Sequence, residues 1–245
     1  MHGVVLRNLG HHVHIFEQNT QSVRADLAAG ITTHPQFEEY MARHDQIASP
    51  WSIHSPSVQF LGPNATVKRR INRPLQMTSW AVIYHRLRAN FDGFASEFYP
   101  EPPVVAGEKS NDGSAVFDAG KQVVSVTRVH DDDEAVEITY RDLKDGGKEG
   151  TRRADLVILA DGANSSVRAK LFPDVERKYV GYVAFRGTVP EAEVSEEAKK
   201  VFDPNLTYYS FKGGYILQCV QLFFIPKARG RKAKMISPLL VKITC

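Results

Sequence analysis

The stretch Arg153-Ala-Asp-Leu-Val-Ile-Leu-Ala-Asp-Gly-Ala-Asn-Ser-Ser-Val-Arg168 constrains the fold of this chain more than any other. Leu156 to Ala160 is an unbroken apolar run, the pattern of a strand buried on both faces of a parallel sheet. Asp161-Gly162 follows as a turn dipeptide. Asn164-Ser165-Ser166 then offers N-cap side chains for a helix that begins near Val167. A strand that feeds a helix through a tight glycine turn, at the carboxyl edge of a sheet, is where open α/β folds hold nucleotides. The same residues also make an ordinary strand-turn-helix corner, and the segment alone does not choose between the two.

Bulk properties narrow the field. The chain has 245 residues, enough for one large or two small domains. A net charge of +3 is too small to argue for nucleic acid or an anionic membrane surface as partner. No apolar run approaches the ~18–20 residues of a membrane span. The N-terminus lacks the pattern of a signal peptide, since Arg7, Asn8 and the histidines interrupt its apolar residues. Cys219 and Cys245 make no disulfide framework, so a reducing, cytoplasmic setting is expected.

From the start of the chain, Met1 to Gly10 reads as a helix with apolar residues at 1, 4, 5 and 9, closed by Gly10. His12 to Glu17 reads as a strand with an acidic end. Helix, short glycine link, strand and acidic end make up the back half of a dinucleotide-binding βαβ unit, in which the terminal carboxylate accepts the ribose hydroxyls. His11, His12 and His14 invite a metal reading, but no Cys or further His follows at ligand spacing, so no metal is assigned. A helix is expected over Pro35–His44 and a hairpin around Gly62-Pro63-Asn64. A second helix is expected over 78–95, with Trp80, Ile83, Leu87 and Phe91 as its core stripe. Ala28-Ala29-Gly30-Ile31 is either a small-residue patch for a flat ligand or plain turn chemistry. Strands at 121–129, 136–141 and 154–160 form a meander, its acidic tip at Asp131–Glu134. Beyond Pro173, strands are expected at Tyr179–Val189, Leu206–Phe211 and Tyr215–Ile225, with a short charged helix at Glu191–Val201. Lys227 to Lys234 is a basic run without apolar period, read as an atypical terminus.

Four of these stretches together resemble the class A FAD-dependent aromatic hydroxylases, the para-hydroxybenzoate hydroxylase type, and within them the branch similar to 2,6-dihydroxypyridine 3-monooxygenase. Val4 to Glu17 resembles the first helix and second strand of the FAD fold. Thr78 to Phe91 resembles the helix beside the flavin, Ala154 to Arg168 the internal Asp-Gly motif, and Tyr179 to Gly187 the entry to the substrate domain. The resemblance implies an α/β fold: an FAD-binding, Rossmann-like domain of glutathione-reductase type over 1–177 and a β-rich substrate domain over 178–245. The hairpin near 53–76 would join the second, and the basic tail begins near 226. It implies FAD as cofactor and NAD(P)H as reductant, with O2 hydroxylating an aromatic or N-heteroaromatic ring. Glu17 would hold the FAD ribose, Asp161 and Gly162 would lie near the pyrophosphate, and Ala29 and Gly30 would line the flavin. Arg86 and Arg88 would meet phosphate or pair at the surface. No catalytic side chain is singled out, because in such enzymes the cofactor carries the chemistry. A small aromatic substrate is the implied partner, and a homodimer is compatible with it.

The chain also departs from that pattern. The glycine-rich pyrophosphate loop and first strand should precede Val4, and a Gly-Asp motif is lacking. Trp80 stands where Arg or Gln is expected, and Phe185 where Trp is expected. These departures lead to the expectation of a product cut at both ends, binding FAD poorly. Two other readings stay open: a non-catalytic remnant acting as a binding module, and another FAD- or NAD-dependent oxidoreductase.

Overall fold

The computed structural model describes residues 1–21, 30–105, 113–129, 132–185, 189–202, 204–211, 214–222, 234–237 and 241–243. In chain order its elements are α1 (His2–Asn8), β1 (Val13–Glu17), β2 (Gly30–Thr33), α2 (Pro35–His44), β3 (Ile53–Ser55), β4 (Val58–Leu61), β5 (Val67–Ile71), β6 (Leu75–Ser79), α3 (Trp80–Asp92), β7 (Ala115–Ala119), β8 (Lys121–Val129), β9 (Asp132–Asp142), β10 (Lys148–Ala154), α4 (Ser166–Leu171), β11 (Val183–Phe185), β12 (Val189–Pro190), α5 (Glu196–Phe202), β13 (Leu206–Phe211), β14 (Gly214–Leu222), β15 (Lys234–Ser237) and β16 (Val241–Ile243). Two compact units share them: Met1–His11, Arg24–Gly113 and Val180–Cys245 form one, and His12–Val23 with Ser114–Tyr179 the other. No helix among the described residues is long and apolar enough to cross a membrane.

The first unit is built on α3. Ser79 caps it, its hydroxyl accepting the Val82 N–H at 3.2 Å. Gly93 ends it at φ 67, a left-handed conformation that glycine adopts without steric cost. Ala81, Val82, Ala89, Phe98 and Tyr99 form one apolar cluster around it. The expected core stripe holds for Ile83 and Phe91, but Trp80 is 47% exposed. Burial instead extends around the helix to His85, Arg86, Arg88 and Asn90.

Arg86 is 1% exposed and fully engaged. Its Nε donates to Asp45 Oδ2 at 2.6 Å, Nη2 to the Ser49 carbonyl at 2.8 Å and to the Ile47 carbonyl, and Nη1 to the Tyr99 hydroxyl at 3.3 Å. Asn90 donates to the other Asp45 oxygen at 2.8 Å and accepts the Gln46 N–H at 2.8 Å. The phosphate or surface role expected for Arg86 is therefore corrected: its donors tie α3 to the loop after α2. Arg88 is likewise taken up, donating to Asp92 at 2.7 Å and lying 4.4 Å from the Phe94 ring centre.

The same unit holds a six-stranded sheet in the order β12-β15-β14-β13-β4-β5 and a three-stranded sheet β2-β6-β3. The expected hairpin is β4–β5, antiparallel, turning through Asn64 and Ala65 at φ 59 and 55. β4 runs parallel to β13, Phe60 opposite Tyr208. Strand alternation sends Val58, Phe60, Leu206, Tyr208 and Leu217 to one face, where they pack with Ile53, Leu75 and Met77 of the smaller sheet. Gln59, Thr207 and Gln218 form a polar row on the other face. Gln59 donates to Thr207 Oγ1 at 2.8 Å, but both amide atoms of Gln218 are buried without a hydrogen-bond partner. Thr78 and Ser79, expected in the helix, belong instead to β6, which sequence periodicity does not reveal.

The second unit pairs β1 and β7 in parallel, Val13 opposite Ala115 and Glu17 opposite Ala119. Beside them stands the antiparallel meander β10-β9-β8. His14 bonds Asp118 at 2.7 Å and His12 bonds Ser114 at 2.9 Å. The third meander strand is Lys148–Ala154, not 154–160. The segment Leu156–Ala160 is a correction to the strand expected there: it has no strand hydrogen bonding, and Leu156, Ile158 and Leu159 are 66%, 46% and 42% exposed. An apolar run becomes a buried strand only where a neighbouring strand and covering helices take up its backbone groups and side chains. Among the described residues none does. Of the strand expected over Tyr179–Val189, the described residues hold β11 and the start of β12, residues 186–188 lie outside them, and Tyr179 and Val180 are exposed.

Two consequences are measurable. Arg86→Met leaves Asp45 charged and buried, and equilibrium unfolding should show a loss of about 3–5 kcal/mol. His85 is 1% exposed and stacked on Phe98 at 4.7 Å, and burial, aided by Arg88, pushes its imidazole down to about 4. The unfolded chain then binds a proton that the folded chain refuses. Stability is full above about pH 6.5 and is lost as pH falls towards 4, by up to roughly 3 kcal/mol. Denaturant midpoints measured across that window should fall for the parent chain and fall less for His85→Phe.

Candidate functional site

Glu17 ends β1 at the carboxyl edge of the parallel pair, the place the sequence assigns it. Its Oε1 accepts the Asn19 N–H at 2.8 Å, and its backbone carbonyl accepts the Gly120 N–H at 2.7 Å. The bond to Asn19 orients the carboxylate and leaves its second oxygen as an acceptor. A charged acceptor at the end of a parallel strand is suited to ribose hydroxyls.

Asp161 and Gly162 lie in the same unit as Glu17, exposed in a turn. Gly162 has φ +79, so the turn there suits glycine, and a Cβ would meet nothing within 4 Å. Arg168 closes the turn, donating to the carbonyls of Gly162 at 3.1 Å and Ala163 at 2.6 Å. Ser165 caps α4 by accepting the Arg168 N–H at 2.9 Å, as the sequence predicts. Gly30 is exposed at the first position of β2, in the other unit. Ala29 lies outside the described residues. The set expected to line one cofactor is thus divided: Glu17, Asp161 and Gly162 on one unit, Gly30 on the other.

These residues fit an FAD in part. Glu17 offers a carboxylate oxygen at the end of its parallel strand, the kind of acceptor a ribose hydroxyl needs. The Asp161–Gly162 turn is open, but the segment leading into it is not anchored in a sheet. No glycine-rich backbone cradle for a pyrophosphate occurs among the described residues, and no group of three potential metal ligands is found there either.

Among the described residues, the first unit holds cavities in two places of note. One, of about 390 Å³, is lined by Met41, Ile47, Trp51, Asp45 and Arg86 among others, and its charged pair is consumed internally. The other, of about 520 Å³, lies between the two sheets. Val58, Phe60, Ile71, Leu75, Leu206 and Tyr208 form its apolar and aromatic wall, and Thr32, Thr33, His34 and Arg73 complete it. Phe60 and Tyr208 stack at 5.3 Å with 14° between their planes. A cavity of this size with an apolar wall and few polar groups suits a small ring. Sequence reading misses it because its lining comes from segments 32–34, 58–75 and 206–208, brought together by the β4–β13 pairing. The alternation in Val58-Gln-Phe60 and Leu206-Thr-Tyr208 is the one signal that could have marked it.

The family described as FAD binding domain-like matches residues 179–234. The chain is 24% identical over 218 residues to 2,6-dihydroxypyridine 3-monooxygenase of Paenarthrobacter nicotinovorans, covering 87% of this chain and 46% of that protein. It superposes on the solved 2,6-dihydroxypyridine-3-hydroxylase of Arthrobacter nicotinovorans with a TM-score of 0.71 at 20% identity, covering 99% of this chain and 53% of that one. It also superposes on the tetrameric form of 2-methyl-3-hydroxypyridine-5-carboxylic acid oxygenase with a TM-score of 0.61 at 14% identity, covering 98% and 55%. The chain therefore spans about half the length of the proteins it matches. Its fold is the mixed α/β fold of these solved hydroxylases, and part of the chain matches a family described as FAD binding domain-like.

The unpaired state of Leu156–Ala160 is testable by substitution. Leu156→Ser should change stability by no more than about 0.5 kcal/mol in denaturant titration, as for an exposed side chain. A loss of about 2–5 kcal/mol would instead place Leu156 in a packed strand.

Proposed function

We propose that this chain, a homologue of 2,6-dihydroxypyridine 3-monooxygenase with the fold of the class A FAD-dependent hydroxylases, serves the hydroxylation of an aromatic or N-heteroaromatic ring with NAD(P)H and O2. The observation that carries the reading is the 520 Å³ cavity with its Phe60–Tyr208 wall, in a chain of this fold. Bound FAD supplies the redox chemistry: electrons from NAD(P)H, one oxygen atom to the ring and the other to water. The chain supplies position and dryness. Val58, Phe60, Leu206 and Tyr208 hold a flat ring by its faces and keep water from it. Glu17 accepts a ribose hydroxyl of the adenosine, with Asp161 and Gly162 near the pyrophosphate and Ala29 and Gly30 on the flavin side. In this reading residues 1–177 serve mainly the cofactor and 178–245 the substrate, with the β4–β5 hairpin given over to the substrate side.

A second reading, a non-catalytic binding module, is favoured by the exposed apolar run at Leu156, Ile158 and Leu159.

Flavin titration separates the two. The purified chain should carry well under one FAD per chain, because the segment leading to Asp161 and Gly162 is not fixed in a sheet. Added FAD should bind saturably, read by quenching of flavin fluorescence, and Glu17→Ala should weaken it about ten- to a hundredfold, as for loss of a charged hydrogen bond. No saturable binding would end the hydroxylase reading for this chain. A stoichiometric yellow protein would instead refute the account of the 156–162 segment. For turnover, 2,6-dihydroxypyridine is the first ring to test, with hydroxylated product as the readout.

A further inference from the structure

Among the described residues, β10 is an edge strand of the meander, bonded to β9 on one side only. Its exposed residues include Lys148, Glu149, Arg152 and Arg153, and charge is a common protection of a free strand edge. One bend later that protection stops. Leu156 to Ala160 holds no charge, proline or glycine, and its backbone joins no strand ladder. Leu156, Ile158 and Leu159 are exposed. An open apolar run that continues from a free edge is a template for a second strand.

The flanking charges indicate which strand fits. Arg153 stands before the run and Asp161 after it. Both are exposed, and neither side chain makes a hydrogen bond or ion pair with a described residue. The segment Arg153-Ala-Asp-Leu-Val-Ile-Leu-Ala-Asp161 is centred on Val157. Laid antiparallel on a copy of itself about that centre, it sets Arg153 opposite the partner's Asp161 at both ends. Leu156 then meets the partner's Ile158, and Ala154 the partner's Ala160. Alternation puts Ala154, Leu156, Ile158 and Ala160 on one wholly apolar face and leaves Arg153, Asp155 and Asp161 on the other. A parallel, in-register pairing would oppose like charges at both ends. The charge pattern therefore favours a closed antiparallel pair over an open stack.

We propose that Arg153–Asp161 is a self-association site, at which two copies of this chain pair as antiparallel strands about a two-fold axis at Val157. Each copy uses the same segment, so the pairing closes at two. The segment is far shorter than the ~20–30 residues a side of stable complexes, so the dimer is of micromolar affinity or weaker. In a dilute denaturant titration the chain is then a monomer, and Leu156 stays exposed. The proposal does not rest on the hydroxylase reading, and its test uses the full chain without flavin.

Sedimentation velocity from about 1 to 300 μM, the range that micromolar affinity sets, should show a reversible monomer–dimer equilibrium. Arg153→Asp leaves two acids at each end of the pair, and Asp161→Arg leaves two bases. Each should weaken self-association about ten- to a hundredfold. An equimolar mixture of the two variants should dimerise again, because each end then joins an acid to a base, and this also shows that both are folded. The double variant Arg153→Asp/Asp161→Arg should self-associate like the parent. A parent chain that stays monomeric over the range, or that grows past the dimer, would overturn the proposal. So would dimerisation that neither single reversal weakens, or variants whose mixture and double form both stay monomeric.

Discussion

The ion pair between Arg86 and Asp45 is the constraint on which the first unit depends. A guanidinium that is 1% exposed must have its donors met, because an unpaired buried charge costs several kcal/mol. Here the donors go to one carboxylate, two carbonyls and a phenol, all from outside α3. Those partners fix the loop from Asp45 to Ser49 and the segment around Tyr99 relative to the helix. Asn90, one turn further along α3, completes the same carboxylate's bonding and receives the Gln46 N–H. The network has a visible effect on Tyr99, whose phenol is pushed up by burial although the Arg86 guanidinium acts the other way. Such a pair gives little net stability against a well-packed apolar alternative. What it supplies is a single position for the helix, and with it for β6, the strand that leads directly into α3.

That placement carries over to the cavity. β6 belongs to the smaller sheet, and its Leu75 and Met77 meet the apolar face of the larger one. The cavity between them exists because β4, from early in the chain, pairs in parallel with β13, from late in the chain. Charge is handled differently at the two places. In the α3 network the Arg86–Asp45 pair is buried and fully bonded. At the cavity mouth Arg73 stands in solvent with no described partner. A buried cation serves the fold, and an exposed one meets its needs in water.

Much of the local structure was legible from the residues. The capped helix at Ser165, the strand ending in Glu17, the helix over Pro35–His44 and the β4–β5 hairpin follow from caps, turns and periodicity, which are short-range effects. The likeness to FAD-dependent hydroxylases was legible in the same stretches and agrees with the folds the chain superposes on. Three features were not legible. Trp80 fits the apolar stripe of α3 but lies exposed, while Arg86 and His85 off the stripe are buried, because the helix is covered on more sides than an amphipathic pattern assumes. Thr78 and Ser79 extend a strand that helix periodicity conceals. Leu156–Ala160 reads as a buried strand yet lies open, because apolar residues state a tendency to be buried and only a neighbouring strand can satisfy it.

The sequence by itself determined the class of fold, the order of most elements, and the acidic strand end and glycine turn that suit a nucleotide cofactor. These depend on contacts between residues close in the chain. Only the tertiary structure decided which arginines are buried in the fold and where the cavity between the sheets lies. Those outcomes depend on pairings between residues far apart, such as Phe60 with Tyr208 and Arg86 with Asp45. Local spacing carries no information about which distant partner a side chain will meet, and here that choice separates a buried network from an open cavity.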